Sequence, residues 1–203
     1  MIITIGRQIG SGGREIGKML SEVMHYAYYD KELLEITANQ SGINRLLFEK
    51  MDERAHKGLP AGLFGTRFPF WSDPMLSYSG LSNEALFQLK SDVIRSLADR
   101  QSCIFIGRCA DYILRDRNDC LNVFISANEE DRIRRIVDNS KEKPVSTEKA
   151  RELMAKVDRQ RASYYNYYTN KTWGLASSYH ICINSSILGV DRAVSLIKEA
   201  VRF

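Results

Sequence analysis

The stretch IITIGRQIGSGGREIG at residues 2 to 17 holds the residue types and spacing best suited to chemistry in this chain. A short β-branched run breaks into a glycine-rich turn, and the turn gives way to a helical pattern. Glycines in such a turn let successive backbone N–H groups converge on one point, and the positive end of the following helix adds to their field. That is the chemistry of a phosphate cradle. Gly10, Ser11, Gly12, Gly13, Arg14 and Glu15 are therefore the candidates for holding a polyphosphate. The common form of this loop has a Lys after the last glycine and then a hydroxyl residue, which reach the outer phosphates and a magnesium ion. Here Gly12 is followed by Gly13, Arg14 and Glu15. Arg14 is the nearest replacement for the missing charge, although its planar fork meets phosphate oxygens differently from an ammonium.

Further groups of suitable type lie downstream. Gly107-Arg108 ends the apolar run CIFIG at 103 to 107. An arginine at a strand end can grip phosphate through paired N–H donors; the competing reading is a surface ion pair with Asp111 or Asp116. Asp158-Arg159-Gln160-Arg161 sits in a long helical pattern from about Thr147 to Tyr165. At about 100° per residue, Arg151, Asp158 and Arg161 share a face while Arg159 points elsewhere. Arginines on such a helix can stabilise charge during phosphoryl transfer; an ordinary solvated helix carries similar residues. The aromatic group Tyr164, Tyr165, Tyr167, Tyr168 and Trp173 reads as packing of the helix end on the core, in preference to stacking on a base.

The elements that must position these residues follow from the apolar pattern. Four nearly continuous apolar runs, IITI at 2 to 5, CIFIG at 103 to 107, LNVFI at 121 to 125 and YHICI at 179 to 183, read as buried parallel strands, and YAYY at 26 to 29 is a weaker fifth. Ser126 with Glu129 three residues on reads as a capping box opening a helix to about Asn139. After Gly189, the residues Val190, Ala193, Val194, Ile197 and Val201 form the stripe of a final amphipathic helix. Strands alternating with helices predict a doubly wound α/β sheet of five parallel strands, with ligands at the carboxyl ends of the strands. The expected organisation is one domain over 1–203, with an inserted substrate-side lobe at about 30–90 and a lid region at about 138–162. Residues 52 to 82 are rich in glycine, proline and aromatics without a sustained period; such a segment suits a lid, a substrate-side loop or a homodimer contact.

Composition narrows the function classes. With 44% apolar and 27% charged residues in 203, the chain has the make-up of a globular protein with a single sizeable core. It has no window of about 18 apolar residues for a membrane span. Its start runs straight into a strand pattern without an export signal, so a cytoplasmic protein is expected. A net charge of +4 with basic residues clustered near the presumed pocket argues against nucleic acid as a partner. Cys103, Cys109, Cys120 and Cys182 are scattered singly, as suits reduced structural thiols and no metal site.

Taken together, these motifs resemble the cytidylate-kinase-like branch of the P-loop nucleoside monophosphate kinases. GSGG at 10 to 13 is similar to the GSGK of that family, IGR at 106 to 108 to its DGR, and DRQR at 158 to 161 to its DRNR. NVFISANEEDRIRRI at 122 to 136 resembles its strand and following helix, and INSS at 183 to 186 its last strand end. The resemblance implies a five-stranded parallel core, a monophosphate-binding lobe and a lid, with ATP and Mg2+ as cofactors. It implies that residues 10 to 15 bind ATP, that Arg108 meets the acceptor phosphate, and that Asp158 and Arg161 hold a nucleoside monophosphate. Asp30 matches an acceptor-side aspartate. The family lysine is Gly13 here, the acid before Gly-Arg is Ile106, and Lys31 and Glu32 follow Asp30 with no arginine until Arg45. The expected activity is transfer of the ATP γ-phosphoryl group to a nucleoside monophosphate or another small phosphorylated metabolite, with Arg14, Arg159 and Arg161 neutralising the transferring group. The alternative is a non-catalytic nucleotide- or anion-binding regulatory module on the same fold.

Overall fold

The structure is a computed structural model in which residues 1–30, 83–140 and 144–201 are described. The aromatic segment at 52 to 82, together with Lys31, Glu32 and Arg45, lies outside the described residues. Met1–Tyr29 with Arg100–Phe203 forms one compact unit, and Asp30–Asp99 forms a second.

In the first unit β1 (Ile2–Arg7) leads through the glycine turn into α1 (Gly13–Met24), and β2 (Ala27–Tyr29) follows. The second unit contains most of α2 (Asn83–Arg100), whose Lys90, Val93, Ile94 and Leu97 are buried at helical spacing. The chain then builds β3 (Cys103–Ile106), the single turn α3 (Ala110–Ile113), β4 (Cys120–Ser126), α4 (Glu129–Asp138) and α5 (Thr147–Thr169). After β5 (Ile181–Asn184), a short α6 (Ser185–Leu188) and α7 (Val190–Ala200) complete it. The five strands form one all-parallel sheet in the order β2-β3-β1-β4-β5. All five predicted strands are present.

Strand periodicity divides the sheet residues between its two faces. Ile3 and Ile5 of β1, Ile104 and Ile106 of β3, and Leu121, Val123 and Ile125 of β4 join one core with Ile16 and Leu20 of α1 and Ala193, Val194 and Ile197 of α7. The terminal stripe read from the sequence is thus the face α7 buries, beside α1. On the opposite parity Thr4 donates to Asn122 Oδ1 at 2.8 Å, so the polar residues of the central strands satisfy each other inside the sheet. Cys103 and Cys120 are reduced, and burial pushes both thiols up to about 12, far from a reactive thiolate.

One boundary differs from the sequence reading. Ser126 does not cap the helix: it is the last residue of β4, paired with Asn184, and its hydroxyl donates to Ile183 O at 3.3 Å. The strand runs on to that point, so the helix starts later, with Asn128 in extended conformation at the N-cap and Glu129, Glu130 and Asp131 in the first turn. Acids there favour the helix through its dipole. α5 starts as expected at Thr147 with Ser146 accepting from Lys149 N–H, and it continues to Thr169, beyond the expected Tyr165. No described helix is long and apolar enough to cross a membrane.

Candidate phosphate-binding site

The glycine turn joins the end of the central strand to the start of α1 at the carboxyl edge of the sheet, the edge where ligands sit in doubly wound folds. Gly10 and Gly12 adopt left-handed φ values of 71° and 76°, which alternate the backbone so that neighbouring N–H groups point the same way. Gly10 is required for a second reason: a Cβ there would stand 2.6 Å from Arg132 O. Among the described residues no acceptor meets the N–H of Gly10, Gly12 or Gly13. Gly13 opens α1, where helical geometry leaves the first N–H groups without an intrahelical acceptor. The loop therefore presents donors to an anion, at a helix start that favours negative charge.

The loop carbonyls, by contrast, are held from behind by arginines. Arg132 Nε donates to Ile9 O at 2.8 Å, Arg135 Nη1 to Gly10 O at 3.2 Å, and Arg161 Nη1 to Arg7 O at 2.6 Å. Ser185 Oγ donates to Ser11 O at 2.7 Å. The N–H of Ile9 donates to Asp158 Oδ1 at 2.9 Å, while Asp158 Oδ2 pairs with Arg132 Nη2. In a trans peptide the N–H points opposite its carbonyl, so anchoring Ile9 O and Ser11 O turns the N–H groups of Gly10 and Gly12 away from Arg132 and Ser185, and these contacts pre-organise the cradle before any ligand arrives. Arg132 and Asp158 are both largely buried, and each satisfies the other.

α5 is the element that carries much of this. Ala150, Met154, Val157, Tyr165 and Thr169 form its buried stripe, and the Arg151–Glu129 pair ties its first turns to α4. Asp158 and Arg161 project from it to the loop backbone. Arg159 is exposed, as its helical phase requires. At the other end of α5 the Tyr165 hydroxyl donates to Asp111 Oδ2 at 2.6 Å, and its ring stacks on Tyr179 with centroids 6.0 Å apart. Burial raises the Asp111 carboxyl above the ordinary carboxylate range, opposed by the Tyr165 hydrogen bond, and burial also raises the Tyr165 hydroxyl. Trp173 packs edge-on to Phe124 at 5.2 Å, while Tyr167 remains exposed.

Beside the loop, β3 ends in a turn in which Gly107, Arg108 and Cys109 all have left-handed φ, at 70°, 62° and 57°. Two of these carry side chains, for which that conformation costs about 1–2 kcal/mol each. Backbone strain of this kind clusters at ligand-binding and active sites. Of the two acids near Arg108 in sequence, Asp116 pairs with Arg115 and Asp111 accepts from Tyr165.

The sequence-derived candidates thus fall in three groups. Gly10, Ser11, Gly12, Gly13, Arg14 and Glu15 form the loop and the first turn of α1; within it Ser11 Oγ is turned back to Gln8 O at 2.8 Å and Glu15 is exposed. Asp158 and Arg161 are brought to that loop, and Arg108 stands at the end of the adjacent strand, whereas Arg159 faces solvent. Asp30 is buried and opens the second unit. Sequence reasoning missed the supporting roles of Arg132, Arg135 and Ser185. Arg132 and Arg135 lie in the stretch NVFISANEEDRIRRI, where helical spacing could show their shared face without revealing the loop carbonyls opposite.

Comparisons with known proteins agree with this geometry. The chain superposes on a crystal structure of an uncharacterized protein from Eubacterium ventriosum with a TM-score of 0.73 at 25% identity, covering 100% of this chain and 98% of that one. Shikimate kinase from Bacteroides thetaiotaomicron matches with a TM-score of 0.56 at 12% identity over 100% and 99% of the two chains. Shikimate kinase from Acinetobacter baumannii, solved with shikimate, matches at 0.51 and 13% over 99% and 92%. These likenesses establish the fold as that of P-loop kinases. A search of curated proteins found no match. Residues 2–187, which span the cradle, the strand-end arginine, α4, α5 and the start of α6, match the model of the cytidylate kinase-like family, and the chain belongs to that family.

Proposed function

We propose that this protein is an ATP-dependent phosphotransferase of the monophosphate-kinase type, moving the γ-phosphoryl group of ATP to a nucleoside monophosphate or a similar small acceptor. The observation that carries the reading is the pre-organised loop, in which the N–H groups of Gly10, Gly12 and Gly13 meet no acceptor among the described residues while Arg132, Arg135 and Ser185 hold the carbonyls of Ile9, Gly10 and Ser11. In the transfer, the bond from the γ-phosphorus to the bridging oxygen breaks and a bond to an acceptor oxygen forms. The donor phosphates are held by the N–H groups of Gly10, Gly12 and Gly13, which supply charge stabilisation without reorganisation. Arg108, in its left-handed turn, orients the acceptor phosphate through its paired donors. Arg14, in the first turn of α1, adds positive charge next to the loop.

The donor set fits a polyphosphate. It lacks the usual loop ligand for magnesium: position 14 is an arginine where a hydroxyl is usual, and the loop's own hydroxyl, Ser11 Oγ, is turned to Gln8 O. Charge neutralisation therefore rests on the chain's own cations in this reading.

A second reading is a nucleotide-binding module without turnover. It is favoured by one observation, the engagement of Asp158 and Arg161 with the loop backbone. ADP release from Mg-ATP against a panel of nucleoside monophosphates and small phosphorylated metabolites separates the two. The kinase reading expects turnover stimulated by one acceptor. ATP binding with no stimulated turnover across the panel would favour the binding module.

A further inference from the structure

We infer that Arg7, at the end of β1, is the phosphate-binding cation of this cradle, standing in for the lysine that the loop lacks. The inference rests on the reading of the loop as a polyphosphate site and names the residue that completes it. The position of the usual lysine is Gly13, and a Cβ built there would lie 2.7 Å from Arg7 Cβ, 3.3 Å from Arg7 Cγ and 3.3 Å from Ile125 Cβ. No side chain fits at 13 while the Arg7 stem stays where it is. An arginine at 7 and a lysine at 13 thus exclude each other, and this chain has the arginine.

The far end of the same side chain shows where the charge goes. A Cβ at Gly107 would overlap Arg7 Nη1 and lie 3.1 Å from Cζ and 3.7 Å from Nη2. The guanidinium therefore rests against the backbone of Gly107, next to Arg108, while the stem passes under Gly13. It bridges the donor loop and the strand-end turn, between which a transferring phosphoryl group would pass. Gly13 and Gly107 both leave room for the one side chain.

The backbone of Arg7 is fixed for this task. Arg7 pairs with Ile125 at the end of the β1–β4 ladder, and its carbonyl accepts from Arg161. Strand alternation puts its side chain on the parity of Ile3 and Ile5, the face covered by α1. Arg132 and Arg135 act from the carbonyl side of the loop, on Ile9 O and Gly10 O. A guanidinium delivered from the strand offers two donors in one plane, so it can bridge oxygens of neighbouring phosphates where an ammonium acts as a point charge.

The test uses the intact chain and inorganic tripolyphosphate as the probe, with calorimetric binding and melting temperature both recorded. Arg7→Met keeps most of the stem and removes the charge. It is expected to weaken tripolyphosphate binding by at least about tenfold, the loss typical of one charge-assisted contact. Gly13→Lys alone is expected to lower the melting temperature, because its Cβ meets the Arg7 stem. Combining it with Arg7→Gly is expected to recover both melting temperature and binding, a non-additive result that only the proposed exchange produces. Wild-type binding retained in Arg7→Met, or a double variant no better than the sum of its parts, would overturn the role of Arg7 and leave the cradle intact. Absence of tripolyphosphate binding by the wild type would overturn the cradle reading and this inference together.

Discussion

Asp158 is the residue on which the loop most depends. It meets the N–H of Ile9 and the buried guanidinium of Arg132 at once, and Arg132 holds Ile9 from its carbonyl side. Removing the carboxylate strands a buried cation, a change that typically costs about 3–5 kcal/mol. Asp158→Ala should therefore lower the unfolding free energy obtained from urea denaturation by that order, whereas Asp158→Asn, which keeps an acceptor for Ile9, should lose less. Equal stability of Asp158→Ala and wild type would show that the latch is not formed. Asp111 presents the opposite case. Burial raises its pKa in the fold above the unfolded value of about 3.9. Any stabilisation tied to the protonated form is complete below the unfolded pKa and is lost as pH rises through the folded one. Asp111→Asn should thus gain stability relative to wild type on going from about pH 4 to about pH 8, and a pH-independent difference would contradict it.

At the scale of elements, α7 closes the core over α1 with Ala193, Val194 and Ile197. Ile197 is fully buried, so Ile197→Ala should destabilise the fold by about 2–5 kcal/mol in chemical denaturation while leaving nucleotide affinity unchanged once folded. Loss of less than about 1 kcal/mol would mean that α7 is not part of the cooperative core. These elements were legible because period and composition report burial directly: each apolar run became a strand, and the 193-194-197 stripe became a buried face. The helix start at 126 was misread because a capping signature is local, and strand pairing with β5 held Ser126 in the sheet. The glycine loop, Arg108 and the Asp158–Arg161 pair were also visible in the sequence as groups of suitable type. Their partners were not, since Arg132 and Asp158 reach Ile9 across long stretches of chain that no local pattern encodes.

At the scale of the whole molecule, a parallel sheet brings the ends of β1 and β3 and the arginine-bearing helices to one edge. Residues 2–187, which include this edge and its glycine loop, match the cytidylate kinase-like family. Occupancy of such a loop must couple to global stability: at a ligand concentration of 100 times Kd, binding adds about 2.7 kcal/mol. The most direct measurement is therefore a calorimetric titration of Mg-ATP into the intact protein, with the melting temperature followed on the same sample. Saturable binding at one site per chain, with a melting temperature that rises with ligand concentration, is the predicted result. No heat and no shift up to millimolar Mg-ATP would contradict a nucleotide-binding cradle at Gly10–Gly13.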